Sequence, residues 1–254
     1  TQIADEMSNP TEVIHWNTGM IWDLLTGPIV KGRDGKYYHN GGLSPHFQGI
    51  HGRGNTFKST LLDGLIMCVM HNFKNAEFVP ADNEGSKSLD RILGQIDEYT
   101  DLTPLPDNWE TRVKKLDTEY VEDVYELITQ EATKRIKSGD TKMFKSPFVD
   151  IEGKTVLLHV PGFVGVDSFS EMSCRPAEDK IEKHGITGSK VNMLFMDEGK
   201  AKTVFMKRLN PILSRSGIGC PLVAQTGDNS ALEGQKYAVK EMFFMKGSDK
   251  VKGV

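Results

Sequence analysis

Gly52-Arg53-Gly54-Asn55-Thr56-Phe57-Lys58-Ser59-Thr60 is the stretch on which the reading of this chain turns. A phosphate-binding loop runs Gly, four residues, then Gly-Lys-Ser/Thr. Successive backbone N–H groups of the turn point at phosphate oxygens, the lysine reaches the β/γ-phosphates, and the hydroxyl ligates magnesium. Gly52, Lys58 and Ser59 are in register with that pattern, while Phe57 stands where the second glycine belongs. Downstream, Leu61, Leu62, Leu65, Ile66, Val69 and Met70 recur at helical spacing. The loop is therefore expected to open a helix whose N-terminus adds partial positive charge at bound phosphates. Taken alone, the stretch also fits an ordinary Gly/Asn turn before Lys-Ser.

Working outward, residues 46–50 read as a weak strand feeding the loop. Residues 76–81 read as a second short strand ending in Asp82-Asn83-Glu84-Gly85-Ser86, although Pro80 is awkward there because it cannot donate to a ladder. An acid at the C-terminal end of a strand lies at the ligand-binding edge of an open α/β sheet. Residues 86–96 look helical, with Ser86 as cap and Leu89, Ile92, Leu93 and Ile96 on one face. Residues 100–117 form a proline-bearing connection. Residues 118–137 predict an amphipathic helix with apolar positions 121, 124, 128, 132 and 136, stopped by Ser138-Gly139. Residues 146–160 suggest a hairpin turning at Glu152-Gly153.

Gly162-Phe163-Val164-Gly165-Val166-Asp167 is an apolar strand ending in aspartate, the pattern of a carboxylate that organises magnesium and its water shell. Val191 to Glu198 is a rival, because it too ends in acids. Asp167 is preferred, since 193–198 runs into a helix to about residue 216, which makes Asp197 and Glu198 first-turn helix acids favoured by the dipole. Residues 220–224 form a strand delivering Gln225, then comes a polar loop, 226–235, and a last strand, 237–245. The first 42 residues are turn-rich and read as a lead-in that packs on the core or on a neighbouring subunit.

The 254 residues, enough for one large α/β domain or two small ones, carry a net charge of −4, and their 38% hydrophobic and 26% charged content fits a soluble globular protein. The longest apolar run is too short to span a membrane, and no signal-like N-terminus is seen. Cys68, Cys174 and Cys220 are too widely spaced for a metal pattern or a disulfide framework, so a reducing, cytoplasmic setting is expected. Charge is segregated: residues 84–123 hold five basic and eleven acidic side chains, and residues 175–215 hold nine basic and five acidic. Such segregation is compatible with a DNA-facing side as well as with ordinary solvated surface.

Together these pieces resemble the ATPase core of the RecA family, closest to the phage UvsX-type recombinases. Asn17-Thr18-Gly19 with Leu24-Leu25 is similar to that family's approach to its core. Thr56-Phe57-Lys58-Ser59 resembles its phage "FKS" loop, Ala81-Asp82-Asn83-Glu84 its "D.E" strand end, Val166-Asp167-Ser168-Phe169-Ser170 its Walker B segment, and Leu222-Val223-Ala224-Gln225 its glutamine strand. The resemblance spans residues 17 to 252 and implies a RecA-like P-loop fold, with a mostly parallel sheet flanked by helices. Residues 43–254 would form that core and 97–160 an insertion. It departs from the family in that insertion and in stopping shortly after the last strand. With no initiator methionine, the chain reads as an excised core or part of a longer protein.

The resemblance further implies hydrolysis of ATP with Mg²⁺. Residues 52–60 would cradle the phosphates. Lys58 would neutralise β/γ charge, Ser59 and Asp167 would hold the metal, Glu84 would orient the attacking water, and Gln225 would sense the γ-phosphate. His51 reads as a packing or polar loop residue rather than a base. Two loops, about 173–190 (Arg175, Lys180, Lys183, Lys190) and 226–240 (Lys236, Lys240), would face single-stranded DNA. ATP would lie between self-associated subunits, in a filament or a ring, with Lys250 and Lys252 as candidates for a neighbour's contribution. The leading expectation is a strand-exchange recombinase. A ring-forming replicative helicase or helicase loader, or a weakly hydrolysing nucleotide-binding scaffold, shares the same motifs.

Overall fold

A computed structural model describes residues 13–15, 29–39, 43–53, 56–73, 75–83, 85, 109–137, 143–185, 191–225 and 241–245. Its centre is a parallel sheet. Strands β4 (Phe47–Gly52), β5 (Glu77–Asp82), β9 (Gly162–Asp167), β10 (Ile218–Gln225) and β11 (Glu241–Met245) form the body of it, and the two-residue β6 (Leu116–Asp117) lies at one edge. The lateral order is β11-β4-β10-β9-β5-β6. The β4, β9 and β10 strands are buried almost throughout, as expected of parallel strands covered on both faces.

One face is covered by helix α1 (Lys58–Asn72). Leu62, Leu65, Ile66, Val69 and Met70 pack there on Ile50, Phe78, Phe163 and Val223 of four adjacent strands. Gly165 leaves the room this requires, because a Cβ there would meet Phe78, Leu62 and Ile66 at 3.1–3.5 Å. The short helix α2 (Trp109–Arg112) precedes β6. The other face is covered by α3 (Val121–Lys137) and α5 (Val191–Ser216), with α4 (Arg175–His184) preceding α5 after β9. Val124, Ile128, Phe205, Leu209 and Leu213 meet Phe47, Val164, Val166 and Leu222 there. Each fully buried aliphatic or aromatic side chain contributes about 1.5–3 kcal/mol, so this double apolar contact outweighs local propensity in holding α1 and α5 to the sheet.

Helix α1, the strands around it, the 150–153 turn and the end of β10 follow the sequence reading. Pro80 sits in β5 without harm because its nitrogen faces the sparse edge. Phe78 O accepts the Lys114 N–H on that side, so residues 78, 80 and 82 direct their main-chain groups toward β6. Pairing there is broken between Val113 and Leu116.

Several expectations are corrected. Residues 109–117 are not a plain connection but carry α2 and β6. In α3 it is Arg135 that is buried and Ile136 that is 55% exposed. Arg135 donates to Val160 O and Glu77, which offsets the desolvation of its charge. Asp197 and Glu198 lie in the second turn of α5, not its first. The turn-rich start contains a three-stranded sheet of β1 (Val13–His15), β3 (Tyr37–His39) and β2 (Ile29–Lys31). The expected hairpin is present, as the antiparallel pair β7 (Met143–Val149) and β8 (Thr155–His159), and it stands outside the main sheet. The expected helix 86–96 lies outside the described residues. Among the described residues, no helix is long and apolar enough to cross a membrane.

Candidate nucleotide site

The loop between β4 and α1 closes on itself through one carbonyl. Arg53 O accepts from both Thr56 Oγ1 (2.8 Å) and Lys58 Nζ (2.7 Å). Lys58 is thus held in the loop and is buried, while Arg53 is exposed and Ser59 and Thr60 are half-buried. Phe57 is the N-cap of α1, with φ 58° and ψ 24°, in the left-handed region. That conformation explains why the position suits glycine, and why a phenylalanine there is 77% exposed: its side chain is turned away from the fold. No side chain caps α1, and its first turn contains no acid. The end of the helix therefore keeps its positive partial charge directed at the loop. Gly54 and Asn55 lie outside the described residues.

Beside this loop the sheet brings together strand ends that are far apart in sequence. Gln225 pairs in register with Gly52, and Asp167 with Asp82. Because β10 lies between β4 and β9, the exposed Gln225 stands between the loop after β4 and Asp167. By strand alternation, Gly52, Asp82, Asp167 and Gln225 share the face of Ile50, Phe78, Phe163 and Val223, which is the face of α1. This is the carboxyl edge of an open parallel sheet, where ligands bind in such folds. His51 turns to the opposite face. It is buried, and burial lowers its pKa, so it serves as a neutral core group. Glu84 lies outside the described residues.

A turn after β9 ties these ends laterally. The Asp167–Ser168 peptide is cis. The Asn83 side chain holds Ser168 at both main-chain groups, accepting its N–H at 2.6 Å and donating to its carbonyl at 3.1 Å. The hydroxyls of Ser168 and Ser170 share a hydrogen bond of 2.7 Å, and Ser170 Oγ accepts the Gln225 N–H at 3.2 Å. Lys202 Nζ of α5 donates to Ser170 O at 2.8 Å, and burial lowers its pKa despite Glu198 and Glu171 nearby. Asp82 is buried, with Lys115 Nζ 3.6 Å away. The sequence marks Asp82 as an acid at the ligand-binding edge, and Asn83 and Ser170 as parts of the strand-end motifs; Lys115 and Lys202 carry no signal for such a role. The spacing Asp167-Ser168-x-Ser170 was visible, but its partners come from other strands.

The candidate DNA-facing residues are placed differently from an open loop. Arg175, Lys180 and Lys183 belong to α4. Arg175 stacks on Tyr120 and pairs with Asp123, Lys180 pairs with Asp197, and Lys183 is exposed. Glu198 accepts from Ser173 Oγ at 3.3 Å, so both acids of α5 brace α4 and the segment before it rather than ending a strand. Lys190, Lys236, Lys240, Lys250 and Lys252, with Asn17, Thr18, Gly19, Leu24 and Leu25, lie outside the described residues. A cleft of about 120 Å³ involving Glu77, Arg112, Leu127, Arg135 and Ile218 opens at the other end of the strands. Arg112 is engaged there in tying down the end of α1 and the chain after it, donating to Met70, Phe73 and Ala76 carbonyls. Among the described residues no group of three or more His, Cys, Asp or Glu could hold a metal by itself. No known protein-family model matches this chain, and no curated protein matches it in sequence.

Proposed function

We propose that the chain is a RecA-like P-loop ATPase core that binds Mg-ATP at the carboxyl edge of its sheet and works as a DNA recombinase of the phage UvsX type. One observation carries the nucleotide reading. An uncapped helix N-terminus with a buried lysine faces a row of strand ends that presents Gly52, Gln225 and Asp167 on one face. A phosphate chain would replace Arg53 O as a partner of Lys58 and take up the first-turn N–H groups of α1. Ser59 and Asp167 would hold Mg²⁺ through a hydroxyl and a carboxylate, a donor set suited to a hard cation that keeps several waters. The bound Mg-ATP would supply a γ-phosphoryl group open to attack by water. Glu84, two residues after Asp82, would orient that water, and Gln225 would meet the γ-phosphate and pass its presence to residues 226–240.

Single-stranded DNA binding, filament formation and strand exchange rest on the five motifs and the basic bias of residues 175–215. A second reading, a nucleotide-binding scaffold that hydrolyses little, is favoured by one observation: Arg175 and Lys180 are already committed to carboxylates. Mg-ATP binding and hydrolysis, with and without single-stranded DNA, separate the two. Recombinase function requires DNA-stimulated turnover, lost in Lys58→Ala, and filaments on DNA in electron micrographs. Rings would favour the helicase reading, and binding with no DNA-stimulated turnover the scaffold. Failure of the wild-type chain to bind Mg-ATP overturns them all.

A further inference from the structure

We infer that the hydroxyl pair of Ser168 and Ser170 is a clamp coupling the ends of β5, β9 and β10, with Ser170 the positioning residue for Gln225. A serine hydroxyl offers one donor and two acceptor sites. Ser170 uses them in two directions, sharing a proton with Ser168 Oγ and accepting the Gln225 N–H. On the far side Asn83 grips both main-chain groups of Ser168, and its own N–H donates to Asp167 O at 3.2 Å. The bonds therefore run without a gap from Asn83, the residue after β5, through the turn after β9 to Gln225 on β10.

The turn that carries this path is itself fixed. Phe169 N–H donates to Val223 O at 2.7 Å, and the Phe169 ring is 1% exposed, 5.6 Å from Phe205 of α5. Lys202, on the same helix, holds the Ser170 carbonyl and lies 5.8 Å from the Phe169 ring. With the apolar anchor and the main-chain bonds set independently of the hydroxyls, the hydroxyl pair has a separable task, which is to make the Gln225 and Ser168 main chains move together. Coupling of this kind needs a contiguous physical path, and here every link is a hydrogen bond. Its consequence rests on the nucleotide reading. Asn83 precedes Glu84, so the water-orienting strand end and the γ-phosphate-sensing strand end would answer to one set of bonds.

Amide hydrogen exchange on the full chain tests the clamp without any ligand. In Ser170→Ala the Gln225 and Ser168 amides should both exchange faster by about fivefold, the size set by one ordinary hydrogen bond. The Phe169 amide should be unchanged, and Ser170→Thr, which keeps a hydroxyl, should restore both. Ser168→Ala keeps every main-chain bond, should reproduce the paired change, and carries the test if Ser170→Ala does not fold. Faster exchange at Gln225 alone, at neither amide, or along the whole of β9 and β10 overturns the clamp. A parallel arm with Mg-ATP keeps the two readings apart. Protection of both amides in the wild type, reduced to Gln225 alone in Ser170→Ala, supports transmission through the clamp. No effect of Mg-ATP on the wild type removes the nucleotide reading and leaves the ligand-free result to decide the clamp.

Discussion

Asp82 and Asp167 stand side by side, closing adjacent parallel strands in register, with both side chains on the face covered by α1. Paired parallel strands are about 4.8 Å apart, so two buried carboxyl groups are close neighbours here, and Lys115 Nζ lies 3.6 Å from Asp82 and 2.7 Å from Asp117. Lys115→Met keeps the apolar stem and removes that charge. It should destabilise the fold by about 1–2 kcal/mol, below the 3–5 of a fully buried pair because Lys115 is one-third exposed. Urea denaturation compared with Lys115→Arg, which keeps the charge, measures it.

The loop conformation makes a second prediction. Phe57 is in the left-handed region and its side chain is largely in water. Phe57→Gly should change stability by less than about 1 kcal/mol, since relief of the left-handed strain offsets the entropy of glycine. Phe57→Val should cost about 1 kcal/mol more than the glycine variant, because a β-branched residue is least suited to positive φ. Thermal melts of the two variants give the ordering.

Gly217 provides a third. It has φ +69°, and a Cβ there would come within 2.2 Å of His159 Cβ. Both the backbone and the space oppose a side chain at the junction of α5 and β10. Gly217→Ala should lose more than about 2 kcal/mol, whereas Gly64→Ala, where a Cβ meets nothing within 4 Å in the middle of α1, should be neutral or stabilising. Denaturant midpoints of the two alanine variants check the contrast.

Stability should also depend on pH through His51 and His159. Burial is the main cause lowering both pKa values from the ordinary 6.5, with Arg135 a further cause at His159. The folded state then binds fewer protons than the unfolded chain below that value. The contribution of the neutral imidazoles is fully present above pH 6.5 and is lost as the pH falls from there toward the depressed folded values. The melting temperature should drop between pH 7 and pH 5, and the drop should shrink in His51→Gln. A pH series of melts on wild type and variant measures it.

Much of this arrangement was legible in sequence because it rests on local periodicity. Apolar residues at 61, 62, 65, 66, 69 and 70 led to α1, and the runs ending in Asp167 and Gln225 led to β9 and β10. The misses share a cause. Arg135 is buried where Ile136 was expected because its guanidinium satisfies Val160 O and Glu77, a demand set by chain segments 25 and 58 residues away. Leu116–Asp117 is too short to show strand alternation and exists through pairing with Ala81 and Asp82. Asp197 and Glu198 looked like dipole acids, but their partners are Lys180 and Ser173.

The α/β character of the chain and the residues that end the strands of the sheet are written in local pattern, because hydrophobic spacing and glycine placement act over a few residues. That β10 lies between β4 and β9, so that Gln225 faces Gly52 on one side and the Ser168–Ser170 turn on the other, emerges at the level of strand packing alone. Strand order is set by which faces α1, α3 and α5 can bury together, and no local pattern records that choice.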